Sequence, residues 1–259
     1  MESYTCFAEV YDLFMDNVPY DEWAKQADSI LEKYNVKKDL VCELGCGTGA
    51  MTRRLSKMGY DMIGIDLSVD MLDIARNMEY EDADFDKEKG PAILYLNQDM
   101  REFELFGTVQ AVVSFCDSMN YITTEDDLLH VFRLVNNYLD PGGIFLFDMN
   151  TVHKYRDILS NNTFAENRDE GSFIWENEFD EESDLNQYDL TLFIRDEEDE
   201  DIYFKYEEQH VQRAYEIDNV CKLIKEAGME LLEVIDVDTM KDVTENTERV
   251  YFVARECQK

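Results

Sequence analysis

A glycine-rich turn between an apolar run and a helical pattern is the part of this sequence best suited to chemistry. Gly45, Gly47 and Gly49 have the spacing G-x-G-x-G, which departs from the dinucleotide fingerprint G-x-G-x-x-G at its last glycine. Such a turn brings a ligand against backbone N–H groups near a helix N-terminus. Asp66, 19 residues after Gly47, ends the next predicted strand, where an acid accepts hydrogen bonds from ribose hydroxyls. This order predicts a nucleoside-cofactor site, and a merely structural turn is the alternative.

Metal and redox spacings are absent from the sequence. The six cysteines contain no C-x-x-C, and the three histidines stand far apart, so we expect reduced thiols and no metal. A calcium loop is one alternative for the acidic run at residues 196–201. That run lacks the glycine and ligand spacing of an EF-hand, and we interpret it as a solvated hairpin end.

Elements that position the turn follow a βα rhythm. Short apolar runs typical of buried strands occupy residues 40–43, 62–66, 93–97, 109–115 and 144–148. Between them lie amphipathic helices, of which two are predicted to begin after the caps Ser68 and Thr124. Residues 141–143, Pro-Gly-Gly, predict the turn into the fifth strand. The pattern indicates an α/β fold with a doubly wound, mainly parallel sheet.

Strict alternation of apolar and polar residues replaces this rhythm after about residue 160. Three strands of an antiparallel meander are predicted, around residues 173–179, 188–194 and 202–206. Helical spacing returns at 217–224, followed by strand-like segments at 231–237 and 250–254. We therefore predict a cofactor-binding domain of residues 1–160 and 211–259, with an antiparallel β insertion at 161–210 as a substrate lobe.

Charge restricts the partners. The formal net charge is −35, a field that repels phosphate backbones and anionic lipid headgroups. No apolar run approaches the length of a membrane span, and the N-terminus lacks the order of a signal peptide. We expect a cytoplasmic protein that acts on a small molecule, without nucleic acid or membrane partners.

The motifs together resemble those of the class I S-adenosylmethionine-dependent methyltransferases of the small-molecule type. Residues 43–49, ELGCGTG, resemble the family's first motif, 64–72, GIDLSVDML, the second, and 98–100, QDM, the third. Residues 139–143, LDPGG, resemble the turn before the fifth strand. The resemblance covers almost the whole chain and implies a methyltransferase fold, S-adenosylmethionine as cofactor and S-adenosylhomocysteine as product.

Roles for individual residues also follow from the resemblance. It implies that Glu43 and the glycines lie beside the methionine part of the cofactor, that Asp66 holds the ribose, and that Leu67 and Met71 lie near the adenine. Asp99 would accept the adenine amino group.

Further implied contacts lie at later strand ends and at the N-terminus. Met100 would pack on the adenine, and residues 114–121 would lie between cofactor and acceptor. Residues 7–12, with Tyr20 and Trp23 following, resemble a lid in which Tyr11 approaches the cofactor; for Trp23 core packing is an equal alternative. The implied cofactor-binding residues are Tyr11, Glu43, Gly45, Cys46, Gly47, Asp66, Leu67, Met71, Asp99, Met100 and Cys116.

Methyl transfer is an in-line displacement that requires alignment and exclusion of water more than acid–base machinery. An amine or hydroxyl acceptor still has a proton to lose. The candidate bases by position are Tyr11, Asp117, His153 and His210, and His130 is expected on the surface. The insertion resembles those of glycine N-methyltransferase and of amino-sugar N,N-dimethyltransferases, without an acceptor signature.

Two other functions share some of these features. A nicotinamide-dependent oxidoreductase or epimerase would use the same glycine turn and strand-end acid, but the sequence lacks its glycine spacing and a Tyr-x-x-x-Lys pair. A non-catalytic regulator would keep the fold alone. A homodimer formed through the insertion is also an expectation.

Overall fold

The computed structural model describes residues 14, 18–81, 92–196, 199 and 201–259. Its helices are α1 Tyr20–Lys33, α2 Ala50–Lys57, α3 Val69–Glu81, α4 Glu125–Tyr138 and α5 Ile217–Glu226, with a 3₁₀ helix Ser118–Tyr121 and a π-helix Lys154–Leu159. Its strands are β1 Leu40–Leu44, β2 Asp61–Asp66, β3 Leu94–Asn97, β4 Val109–Ser114, β5 Leu139–Asn150, β6 Thr163–Asn167, β7 Gly171–Asp180, β8 Leu185–Arg195, β9 Tyr203–Arg213, β10 Met229–Asp236 and β11 Arg249–Glu256.

Seven of these strands form one sheet in the order β10-β11-β5-β4-β1-β2-β3. β1 pairs in parallel with both β2 and β4. β3 pairs in parallel with β2, and β5 pairs in parallel with β4. β11 lies antiparallel between β5 and β10. The predicted doubly wound, mainly parallel sheet is confirmed, and strand order reverses beside β1, where such sheets bind ligands.

Helices cover both faces of this sheet, which explains why its strands are unbroken apolar runs. In β1, Val41 packs into the core formed with α1, α2 and α3, whereas the next residue, Cys42, packs into the core formed with α4 and α5. The same alternation occurs along β4 and β5. Because both faces of the sheet are covered by helices, a ligand site can form only at the ends of its strands.

Side-chain caps begin two helices where the sequence predicted them. The Ser68 hydroxyl accepts the N–H of Met71 at 3.2 Å at the start of α3, and the Thr124 hydroxyl accepts that of Asp127 at 3.2 Å at the start of α4. Acidic residues follow Thr124 in the first turn of α4, where they complement the helix dipole. Both predicted helix starts are confirmed.

β5 begins earlier than the predicted residue 144. The strand runs from Leu139 to Asn150, and its pairing with β4 shifts at residues 140–143, so the predicted Pro-Gly-Gly turn is a bulge inside the strand. A Cβ at Gly143 would lie 2.9 Å from the carbonyl oxygen of Asp140. The bulge therefore needs glycine at this position.

A separate antiparallel sheet, in the order β6-β7-β8-β9, lies between β5 and α5 in the sequence. The prediction of three strands missed β6, a five-residue edge strand. β9 also continues to Arg213, past residue 210, where the predicted insertion ends.

One face of this second sheet is buried, and we call it the inner face. The ladder pairs Asn177 with Tyr188 and Tyr188 with His210, so these three side chains share a face. Buried polar side chains on the inner face are Asn177, Asn186, Glu208, His210 and Gln212. The alternate residues Gln209 and Val211 point outward and are exposed.

Within the described ranges, no helix is long and apolar enough to cross a membrane. The five cysteines described there carry free thiols, as expected.

Candidate functional site

The glycines of the turn after β1 serve two different purposes. All three have positive φ, of 71° at Gly45, 51° at Gly47 and 74° at Gly49. A Cβ on Gly45 would lie 2.6 Å from Ser118 Oγ, and one on Gly49 would lie 2.6 Å from Tyr95 Oη. A Cβ on Gly47 would meet no described atom within 4 Å. Gly45 and Gly49 are thus required by internal packing, while Gly47 presents its backbone to open space.

Backbone N–H groups of the turn are used inside the protein, which differs from the predicted cradle of donors. Gly45 and Cys46 both donate to the Ile65 carbonyl, at 2.8 and 3.0 Å, and Gly47 donates to Asp66 Oδ2 at 2.7 Å. A pyrophosphate group needs such donors to be available. The hydrogen bonding of the turn therefore favours a ligand that is not an anion.

Asp66 ends β2 beside this turn, as predicted. Its second oxygen, Oδ1, accepts the N–H of Ser68 at 2.9 Å, and each carboxylate oxygen keeps a lone pair for a hydroxyl. Burial raises the pKa of this carboxyl, against the effect of the N–H donors from Ser68 and Gly47. Next to it the Leu67 side chain is 67% exposed while Met71 is buried, so an apolar surface lies beside the acid.

Glu43 lies within β1 and is 2% exposed. Its carboxyl accepts a hydrogen bond from the Thr52 hydroxyl. Burial raises the pKa of Glu43 to about 8, and the nearby Asp66 adds to that shift. Near neutral pH this side chain is largely protonated in the folded protein.

The third motif also meets the glycine turn. Met100 contacts it, because its methyl group lies 3.3 Å from the position that a Cβ on Gly45 would take. Asp99 accepts the N–H of Arg101 at 2.8 Å and its Nε at 3.0 Å, and the guanidinium lowers the pKa of that carboxyl. Asp99 is therefore an ionised acceptor at this end of the sheet.

A buried ion-pair network holds the loop after β4. Cys116 and Asp117 have φ of 57° and 52°, and their N–H groups donate to the Asp148 carboxylate at 3.1 and 2.7 Å. Arg249 pairs with Asp148 at 3.0 Å and with Asp117 at 2.5 Å. The guanidinium also lies 5.1 Å from the Trp23 ring. These contacts fix a left-handed backbone at Cys116 and Asp117, two of the residues in the segment 114–121 that is predicted to lie between cofactor and acceptor.

Burial and charge act oppositely in this network. Burial raises the pKa of Asp148, while Arg249 lowers it. For Arg249 burial acts to lower the pKa, but the two carboxylates outweigh burial and raise it. The sequence analysis did not identify Asp148 or Arg249 as site residues. A signal was available for Asp148, because, like Asp66, it ends a strand predicted from the sequence.

The inner face joins this loop through Asp117, one of the predicted bases. Asp117 Oδ2 accepts from Gln212 Nε2 at 2.6 Å, so the carboxylate is held by Gln212 and Arg249 together. His210, another predicted base, is 1% exposed, and its Nδ1 lies 3.2 Å from the Tyr121 hydroxyl. The structure thus brings Asp117 and His210 to one region.

Other predicted residues lie elsewhere. His153 bonds Asp157 at 2.8 Å and lines a cavity with Tyr215, Thr244, Glu245 and Thr247, apart from the glycine turn. His130 is exposed, as expected. Tyr11, predicted both as base and as cofactor contact, lies outside the described residues.

Comparison with known proteins agrees with this geometry. Residues 41–143 match a family model described as a methyltransferase domain. The chain is 34% identical to "Putative methyltransferase YqeM" of Bacillus subtilis (strain 168), over 97% of this chain and 96% of that protein. A crystal structure of an S-adenosylmethionine-dependent methyltransferase from Clostridium acetobutylicum ATCC 824 superposes with a TM-score of 0.85 at 30% identity, covering 99% of this chain and 100% of that one.

The chain belongs to the S-adenosylmethionine-dependent methyltransferases. A further relative of this methyltransferase is a dTDP-3-amino-3,4,6-trideoxy-alpha-D-glucopyranose N,N-dimethyltransferase of Streptomyces venezuelae, 30% identical over 54% of this chain and 56% of that protein. Membership of the family makes the protein an enzyme and S-adenosylmethionine its cofactor, and it sets aside the oxidoreductase and the non-catalytic alternatives.

The residues at the glycine turn suit this cofactor. The backbone at Gly47 is open, since a Cβ there would meet no described atom within 4 Å, and the Asp66 carboxylate accepts the Gly47 N–H at 2.7 Å. A carboxylate at this position favours a ligand with a positive charge, such as a sulfonium, whereas the internal use of the N–H groups disfavours a pyrophosphate. These features fit a positively charged cofactor better than a dinucleotide.

Proposed function

We propose that this methyltransferase methylates the amine nitrogen of a small, hydroxylated molecule. The observation that carries the proposal is the polar inner face of the β6–β9 sheet, which lies against the loop after β4. This face carries the buried polar side chains Asn177, Asn186, Glu208, His210 and Gln212, which suit an acceptor that forms several hydrogen bonds. The named amino-sugar relative supports the same acceptor class.

Buried atoms without partners support a polar acceptor. Among the described residues, Trp175 Nε1 and Asn177 Nδ2 are buried donors with no hydrogen-bond partner, and Asn186 Oδ1 is a buried acceptor with none. Leaving such groups unpaired costs about 1–3 kcal/mol each. Hydroxyl groups of an acceptor would satisfy both kinds of atom.

The cofactor-binding residues of this proposal lie around Gly47. Asp66 would accept the ribose hydroxyls, and Leu67 and Met71 would flank the adenine. Asp99 would accept its amino group. The remaining proposed contacts are Glu43, Gly45, Cys46, Met100 and Cys116, and Tyr11 stays a prediction.

Once bound, the cofactor supplies an activated methyl group on a sulfonium. The protein's residues have three tasks: to hold the cofactor, to aim the acceptor nitrogen in line with the methyl carbon, and to keep water out. The Asp148–Arg249 pair fixes the loop that separates the two ligands. The inner face supplies the polar contacts that orient the acceptor.

Binding and turnover measurements test the proposal. Calorimetric titration with S-adenosylhomocysteine should give binding that is lost or weakened at least tenfold in Asp66→Asn, while the exposed Asp73→Asn serves as a matched control. A panel of amino sugars, free and dTDP-linked, and the corresponding alcohols is then incubated with labelled S-adenosylmethionine. Methylation of amines and not of alcohols is expected, and labelling confined to alcohols would contradict the proposal.

The partner predictions rest on charge. From the net charge of −35 we propose that nucleic acids are not acceptors. A cytoplasmic location and a homodimer remain predictions, as does the division at residues 161–210.

A further inference from the structure

A chain of polar contacts crosses the inner face and ends beside the glycine turn. The Tyr188 and Tyr121 hydroxyls lie 2.5 Å apart, and Tyr121 Oη is 3.2 Å from His210 Nδ1. On the other side of the imidazole, Nε2 lies 3.2 Å from Glu208 Oε2. These four side chains therefore connect in one line through both nitrogens of His210.

Packing fixes the orientation of this line. The His210 ring stacks on the Tyr188 ring with centroids 4.7 Å apart, and Tyr121 meets it edge-on at 5.9 Å. His210 and Glu208 are 1% and 6% exposed, while the two tyrosines are half-buried. The accessible end of the line is thus the pair of hydroxyl groups.

That end faces both proposed ligands. Tyr121 belongs to the 3₁₀ helix whose first residue, Ser118, bonds the Gly45 carbonyl at 3.3 Å. Tyr188 packs edge-on against Trp175, with ring centroids 5.5 Å apart, and lies opposite Asn177, so it adjoins the two unpartnered donors. An acceptor held by these donors would have its nitrogen near the tyrosine hydroxyls.

We propose that Tyr188, Tyr121 and His210, with Glu208 behind them, form a proton relay that takes the proton released by the acceptor amine. This inference rests on the proposed function. Tyr188 contacts the acceptor and is the catalytic residue, whereas His210 and Glu208 act through the tyrosines and are positioning residues.

The step balances as follows. The amine nitrogen forms a bond to the methyl carbon while the carbon–sulfur bond breaks and its electron pair stays on sulfur. The nitrogen, now positively charged, loses a proton to Tyr188 Oη, Tyr188 passes its own proton to Tyr121 Oη, and Tyr121 passes its proton to His210 Nδ1. The resulting imidazolium is paired with the Glu208 carboxylate, an arrangement that stabilises a buried charge.

The relay requires one tautomer of His210. Its Nδ1 must be unprotonated and accept from Tyr121, so its proton is on Nε2, which lies 3.2 Å from Glu208 Oε2. Long-range ¹H–¹⁵N spectra of the ¹⁵N-histidine-labelled full chain read this state directly. The chain has three histidines, and His210→Gln assigns the signal.

We expect the Nε2–H tautomer at neutral pH, with an Nδ1 resonance that moves in Tyr121→Phe. The matched control is Gln209→Ala, an outward-facing neighbour on the same strand, which should leave the resonance unchanged. An Nδ1–H tautomer, or an imidazolium in the resting protein, would overturn the relay.

Turnover gives the second measurement, with an amino sugar from the panel as probe. Tyr121→Phe and His210→Gln should each lower kcat at least 100-fold, the usual contribution of a positioned base, with unchanged S-adenosylhomocysteine affinity. Unchanged kcat in both variants would also overturn it. If no amine is methylated, the proposed function fails. The tautomer of His210, read from the ¹H–¹⁵N spectra, then still tests whether the hydrogen-bonded line from Tyr188 to His210 exists.

Discussion

Replacing Glu43 with glutamine should stabilise the protein in a manner that depends on pH. A carboxyl whose pKa is about 8 when folded, against its usual value of 4.5, takes up a proton on folding. Below about pH 4.5 the carboxyl therefore does not lower the free energy of unfolding, because it is protonated in both states. Between about pH 4.5 and about pH 8 it lowers the free energy of unfolding by about 1.4 kcal/mol per pH unit. At pH 7 this amounts to about 3 kcal/mol, which Glu43→Gln should recover in the free energy of unfolding.

Urea unfolding of the wild type and Glu43→Gln at pH 5, 7 and 9 measures this difference. We expect the variant's advantage to be below about 1 kcal/mol at pH 5 and about 5 kcal/mol at pH 9. Glu102→Gln, at an exposed position, is the matched control and should show no such slope. An advantage that does not change between pH 5 and 9 would refute the assignment of a neutral, buried Glu43.

Three other predictions follow from the same site. Because binding a cation favours ionised Glu43, calorimetric affinity for S-adenosylmethionine should rise with pH up to about 8 in the wild type and lose that rise in Glu43→Gln. Gly49→Ala should cost about 1–2 kcal/mol for its left-handed backbone and more for the contact with Tyr95, so denaturant unfolding should show part of the loss regained in the Tyr95→Phe background. Arg249→Met leaves Asp148 buried without its counter-charge and should cost about 3–5 kcal/mol at pH 7, a loss that shrinks in acid as that carboxyl protonates.

Local patterns let the sequence predict half of the candidate site. The glycine turn, Asp66 and the caps at Ser68 and Thr124 lie within a few residues of the elements they serve, and the alternation of βα units fixes their order. The purpose of Gly49 was not predictable, because it depends on Tyr95 from a strand two positions away in the sheet.

Contacts made by antiparallel pairing account for the other half. Arg249 lies 101 residues from Asp148, and Gln212 lies 95 residues from Asp117. Which residues of β9 and β11 face these acids depends on strand register, which no short pattern specifies. For the same reason the sequence identifies His210 as a candidate base but does not identify Tyr121 and Glu208, the side chains next to its two ring nitrogens.

The position of β11 has a consequence for synthesis on the ribosome. β10 emerges first but has no place in the sheet until β11 has inserted between it and β5. The same late strand brings Arg249 to Asp148. A nascent chain that ends before β11 therefore has an open edge at β5 and an unneutralised acid beside it, so the sheet and the support of the loop after β4 are completed together, when β11 pairs with β5.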